Sequence, residues 1–341
     1  MTLRFVNASI LVLVLLLTLS GLYGIVWTMP LWMYDAHRIF AWALIVLIPW
    51  KTVISWGSLR RGFKTTFDRG IMPIVALALS GATIFVIVLG LMWAWRLGPR
   101  VLWLNQTVIS WHWILALIIM VPFVLHAWAR WPRPKRDDLL SRRSFLKIAG
   151  LSALSIAGWQ LGGAIASSRQ APDAPRRASG SRLSGMFTGN DFPVTTGAGD
   201  GRERVDLDGW RFKVSGEVQQ ILRFSYEELL ALPQSSQVAT LDCTVGWYSV
   251  QRWRGVSLPS LLEQAGAGDD LWGIRLRAVS GHQEQIPLAE ANASLLATHV
   301  GGERLSHVHG FPLRAVVPSR RGWFWVKWLA EVIAIRRPTA V

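Results

Sequence analysis

Cys243 is the single cysteine of the 341-residue chain, so no internal disulfide and no cysteine-rich zinc or iron–sulfur site can form. A thiolate is a soft ligand suited to a transition metal. An isolated cysteine also serves as a small buried apolar residue, and the residue type alone leaves both roles open. Of the seven histidines, His37, His112 and His126 fall in the apolar N-terminal part, where an ionisable side chain is costly and marks function. His282, His299 and His307 read as surface histidines.

The elements that must position these groups are unusually apolar. The chain is 51% hydrophobic and 17% charged, where a soluble domain carries about a quarter charged residues. Its mean hydropathy is +0.32. Five stretches can span a bilayer, which takes about 20 helical residues: Ala8–Trp27, Ala36–Trp56, Ile71–Trp95, Val108–Ala129 and the weaker Ile148–Ser168. No small-x-small cleavage site follows the first, so it reads as a retained helix. Many of the 20 tryptophans flank these spans, as interfacial anchors do.

Charge sets the orientation. Arg60, Arg61, Lys64 and Arg69 lie between spans two and three, and Arg130, Arg133, Lys135, Arg136, Arg142, Arg143 and Lys147 follow span four. The opposite loops are poor in cations, so the N-terminus and residues 130–147 are expected in the cytoplasm and residues beyond 169 outside. These clusters account for much of the net charge of +15 without nucleic acid as a partner.

Spans two and four then run in the same direction. His37 and His112 sit at matching outer depth and could clamp one b-type haem, which takes two axial ligands. His126 follows His112 by 14 residues, on nearly the same helix face and about 21 Å further along the axis. The matching inner position on span two is Lys51, which breaks a second pair. Either one haem binds, or His126 uses another partner for a second, or Lys51 itself ligates, a rare arrangement. The four-span region resembles a small bacterial cytochrome b domain.

Ser141-Arg142-Arg143-Ser144-Phe145-Leu146-Lys147 precedes the fifth span and resembles a twin-arginine export signal, an address read by a receptor. That resemblance implies a bacterial or archaeal cytoplasmic membrane and an exported domain folded around a cofactor. Residues 169–204, rich in Ser, Arg, Pro, Gly and Ala, read as a linker. From Val205 short β-type runs alternate with turns, at Phe212–Val218, Gly273–Val279 and Leu313–Val317. Ser225–Ala231 reads as a capped helix.

Leu241-Asp242-Cys243-Thr244-Val245-Gly246-Trp247 is followed by Trp253-Arg254-Gly255-Val256-Ser257-Leu258. Then come His309-Gly310-Phe311-Pro312-Leu313-Arg314-Ala315-Val316-Val317-Pro318, Gly322-Trp323 and Lys327-Trp328-Leu329. Together these resemble the molybdopterin-binding domain of the sulfite oxidase family, which includes periplasmic methionine sulfoxide reductase catalytic subunits. The resemblance implies Cys243 as the molybdenum ligand and catalytic residue, Arg314 and Lys327 on the pterin phosphate, and cofactor contacts at His309 and at the backbone of Trp325 and Val326. Tyr248 could face the substrate or belong to the core, and Arg252, Arg254 and Arg320 are candidates for holding an anionic substrate.

The expected architecture is an all-α transmembrane bundle of four spans (1–133), the twin-arginine motif with a fifth tethering helix (134–168), the linker (169–204) and an α+β sulfite-oxidase-like domain (205–341). The expected function is a molybdenum oxidoreductase that exchanges electrons between quinone or quinol, a b-type haem and an exported molybdopterin site. Reduction of a small oxidised substrate such as a sulfoxide is preferred to sulfite oxidation. Two alternatives are a haem-free anchor served by a separate electron-transfer partner, and an exported binding module without activity.

Overall fold

The computed structural model describes residues 3–62, 67–99, 102–129, 141–169, 177, 179–195, 204–268 and 270–336. Lys64, Arg130, Arg133, Lys135, Arg136, the expected boundary at 133/134 and linker residues 196–203 lie outside them. The chain divides into two compact units, one helical and one α+β.

The helical unit contains α1 (Leu3–Val26), α2 (Leu31–Gly62), α3 (Phe67–Ala94), α4 (Val108–Ala129) and α5 (Arg142–Ser168). All five are long and apolar enough to cross a membrane, as a multi-pass membrane protein requires. Four of them outrun the expected spans because helical hydrogen bonding continues past the apolar run into polar flanks such as Ser58–Gly62 and Arg142–Lys147. Ser141 caps α5, accepting from the Ser144 amide at 3.2 Å, so Arg142 and Arg143 stand in its first turn.

The fifth helix, expected as a tether, also packs. Glycines four residues apart let it approach α2 closely. A Cβ at Gly158 would come within 2.7 Å of the Trp42 ring. The Trp95 indole donates to Gly162 O at 3.1 Å, and that of Trp159 donates to Asp35 Oδ1 at 3.2 Å.

The α+β unit contains β1 (Arg182–Met186), β2 (Phe212–Gly216), β3 (Leu222–Phe224), α6 (Tyr226–Ala231), β4 (Ser235–Cys243), β5 (Trp247–Ser257), α7 (Leu258–Gln264), β6 (Leu271–Ala278), β7 (Gln283–Pro287), α8 (Leu288–Ala291), β8 (Leu295–Val300), β9 (Glu303–Arg304), β10 (Arg314–Val316) and β11 (Leu329–Arg336). Among the described residues these strands form two sheets. One runs β3-β2-β11-β6-β7, and the other runs β1-β5-β8-β10 with β4 on β5 and β9 on β8. Ser225 and Glu228 close a reciprocal capping box on α6. Trp253, Trp325, Phe212 and Leu229 anchor the apolar core between these elements.

The long strand β5 organises the first sheet. It pairs antiparallel with β4 along its length, with β8 over Trp253–Ser257, and parallel with β1 over Trp247–Val250. The β1 pairing places part of the expected linker inside the domain. Phe192 is also buried in the core, and Ser181 is buried as well. Arg182-Leu183-Ser184-Gly185-Met186 lacks the regular apolar alternation of a strand, and its pairing depends on a partner more than 60 residues away.

Candidate active site

Cys243 ends β4 and is 7% exposed. The chain reverses at once: the Gly246 amide donates to Cys243 O at 3.0 Å, and Gly246 adopts φ +91°, a conformation that favours glycine. The reversal sets Trp247 opposite Cys243 in the β4–β5 register. The Cys243 thiol donates to Thr195 Oγ1 at 3.4 Å, and the Trp247 indole donates to the same oxygen at 3.0 Å. Thr195 is a site residue that the sequence did not mark, because it lies in the stretch read as linker.

Three further groups converge on this segment. Lys327 Nζ donates to Thr195 O at 3.1 Å. The His309 ring lies 4.0 Å from that of Phe192, and its Nε2 donates to Phe192 O at 3.0 Å. Arg314 Nη1 donates to His309 O at 2.8 Å. A Cβ at Gly310 would come within 3.2 Å of both Arg314 Cβ and Lys327 Cα, so glycine lets the two cationic residues approach. Cys243, His309, Arg314 and Lys327 are thus brought around residues 192–195 and 310.

Trp325 and Val326 are buried beside them with their backbones engaged inside the chain. The Trp325 amide donates to Gly322 O and Val326 O accepts from the Ala315 amide. Arg320 turns away to Glu290 at 2.5 Å. Arg321 turns towards Cys243 and donates to its carbonyl at 2.8 Å. Arg252 and Arg254 stand on the exposed face of β5, and Tyr248 is part of the core.

His309 is held neutral. Ser306 Oγ lies 2.8 Å from its Nδ1 and serves as donor, since Nε2 already donates to a carbonyl. Its pKa is lowered from 6.5 to about 4; burial is the main cause, the Phe192 carbonyl opposes it, and the charges of Arg314 and Lys327 reinforce it. The unfolded chain therefore takes up this proton at a higher pH than the folded one. Between pH 6.5 and about 4 the unfolded state binds more protons, so the stability tied to a neutral His309 is present above 6.5 and falls as the pH drops. Thermal melts of the full chain across that range should show this slope, and His309→Gln should flatten it. Equal slopes would contradict the assignment.

In the helical unit the rings of His37 and His112 are 6.5 Å apart between centroids, at 72°. Ser20 Oγ lies 2.7 Å from His37 Nδ1 and gives its own proton to Leu16 O, so Nδ1 is the donor. His112 Nδ1 donates to Val86 O at 2.8 Å. Both rings therefore keep Nε2 as the lone-pair nitrogen, the orientation in which imidazole ligates a metal. A Cβ at Gly90 would come within 3.0 Å of the His112 ring, so α3 passes close beside the pair. Lys51, at the depth where a partner for His126 is needed, donates to Asn7 Oδ1 instead.

Residues 199–340 match the family described as oxidoreductase molybdopterin binding domain. An uncharacterized oxidoreductase of Bacillus subtilis, YuiH, is 34% identical over 144 residues, covering 41% of this chain and 72% of that protein. A protein-methionine-sulfoxide reductase catalytic subunit of Xanthomonas campestris, MsrP, is 30% identical over 146 residues, 38% of this chain and 45% of that one. Mitochondrial sulfite oxidase of Rattus norvegicus is 30% identical over 186 residues, 43% of this chain and 31% of that one. The chain belongs to the molybdopterin-binding oxidoreductases of the sulfite oxidase family. It spans less than half the length of the sulfoxide reductase and sulfite oxidase relatives. The donor set fits the cofactor: the Cys243 thiol, a soft ligand for a transition metal, and the cations of Arg314 and Lys327, suited to a phosphate, converge on residues 192–195 and 310.

Proposed function

We propose that this chain reduces a small, uncharged oxidised substrate such as a sulfoxide at an exported molybdenum site, with electrons drawn from a quinol through a b-type haem in its own membrane unit. Molybdenum and its pterin, when bound, supply the redox and oxygen-atom chemistry. Cys243 offers the metal a thiolate. Arg314 and Lys327 hold the pterin phosphate, with His309 and the backbone at Trp325 and Val326 beside it. His37 and His112 hold the haem; a second haem at His126 is less supported, because Lys51 is taken up by Asn7.

The observation that carries the reading is the convergence of Cys243, His309 and Lys327 on residues 192–195. The choice of an uncharged substrate rests on the disposition of the arginines. A sulfite oxidase holds its anion with cations. Here Arg320 is neutralised by Glu290, Arg321 is committed to Asp242 and Cys243, and Arg252 and Arg254 face outward. Reduction of a sulfoxide takes two electrons and two protons and releases the sulfide and water; a quinol supplies both in the required number.

The twin-arginine stretch at the start of α5 supports export of the folded domain across a cytoplasmic membrane. Purified protein reduced with a quinol analogue tests the whole route. Methionine sulfoxide or dimethyl sulfoxide should reoxidise the haem, and sulfite should not reduce it. Haem reduction by sulfite with no response to either sulfoxide would overturn the proposed direction.

A further inference from the structure

Asp242 directly precedes Cys243, and the function proposed above does not use it. Successive strand residues face opposite sides of a sheet, so its carboxylate points away from the thiol. It is nevertheless 1% exposed. Its Oδ2 accepts from Arg177 Nε at 2.9 Å, and its Oδ1 accepts from Ser181 Oγ at 2.6 Å and lies 3.4 Å from Arg321 Nη2. Arg177 also lies over the ring of Tyr248, the cross-strand partner of Asp242, at 5.3 Å.

Arg321 completes the arrangement. Its Nε donates to Asp242 O at 3.2 Å and its Nη2 to Cys243 O at 2.8 Å. One guanidinium thus grips both carbonyls around the thiol-bearing residue, and the Asp242 side chain fixes that guanidinium. Gly322 packs beside this turn, its Cβ position 3.4 Å from Cys243 Cα. Two guanidiniums and one carboxylate leave this buried group with a net charge of +1. Such a charge acts strongly in a low dielectric.

We propose that Asp242 and Arg321 are positioning residues that set the reduction potential of the metal held by Cys243, with Arg177 completing the ion group. The inference rests on the molybdenum reading above. Positive charge near a redox centre favours its reduced, more negative state. Asp242→Asn keeps the shape and takes the group from +1 to +2, so the potential should rise. Arg321→Gln takes the group from +1 to 0, so the potential should fall. A purely structural role gives no such opposition of sign.

The test is an EPR-monitored redox titration of the molybdenum centre in the purified, metal-loaded full chain, with metal content measured alongside. Asp242→Asn should move the midpoint up and Arg321→Gln down, each by about tenfold in the equilibrium constant, or about 59 mV for a one-electron couple. If either variant fails to load metal, Arg177→Gln, at a partly exposed position, should also move it down. Unmoved potentials, a downward shift in Asp242→Asn, or an upward shift in either arginine variant overturn this inference while the parent still carries molybdenum. A parent without molybdenum overturns the reading beneath it.

Discussion

Cys243→Ser should leave a folded protein that has lost more than about 100-fold of its substrate-reducing activity. The fold should survive because the change is nearly isosteric and the thiol makes a single described polar contact, to Thr195 Oγ1 at 3.4 Å, which a serine hydroxyl can also make. A cost to stability of about 1 kcal/mol is expected. Activity should fall because a hydroxyl is a poor substitute for a soft thiolate on a transition metal. The about 100-fold figure is a lower bound, since losing a residue that merely orients a ligand already costs about 10–100-fold. Near-parental turnover with parental molybdenum content would remove Cys243 from the chemistry, and with it the reason for placing the centre at the end of β4.

His112→Ala and His37→Ala should each abolish the haem Soret band in the purified protein, with haem affinity down by more than about 100-fold. The expectation follows from the pair. Ser20 and Val86 tie each Nδ1, the two rings stand 6.5 Å apart, and neither histidine can hold an ion in the same way without the other. The change to Ala adds no bulk where Gly90 already lies against the His112 ring. His126→Ala should leave the band in place. A band lost at His126 but kept at His37 would move the ligand pair to the inner half of the helices.

The two halves were legible in the sequence to different depths. Helix existence followed from uninterrupted apolar runs, since a spanning helix needs little but length and hydropathy. The fourth span, expected within Val108–Ala129, is a helix over that whole stretch, while α2 extends well beyond its apolar run. The packing of α5 on α2 was written in Gly158 and Gly162, but two glycines four residues apart say only that some partner can come close. The site was legible where flanking motifs carried it, at Cys243, Arg314 and Lys327. It was hidden where a role depends on distant pairing. Thr195 and Phe192 sit in a stretch whose composition reads as a linker, and their places are fixed by partners far along the chain, Thr195 by Cys243 and Trp247 and Phe192 by His309. Arg320 and Arg321 are adjacent and chemically identical, yet one pairs with Glu290 and the other grips the Cys243 carbonyl. Residue type cannot choose between them; the turn ahead of Gly322 does.

The most direct measurement of the central claim is the molybdenum and haem content of the purified full-length protein, by elemental analysis and pyridine haemochrome on one sample. The account predicts one molybdenum and one b-type haem per chain. A preparation with neither would contradict it, and molybdenum without haem would leave the proposed molybdenum site standing while removing the proposed haem ligation by His37 and His112.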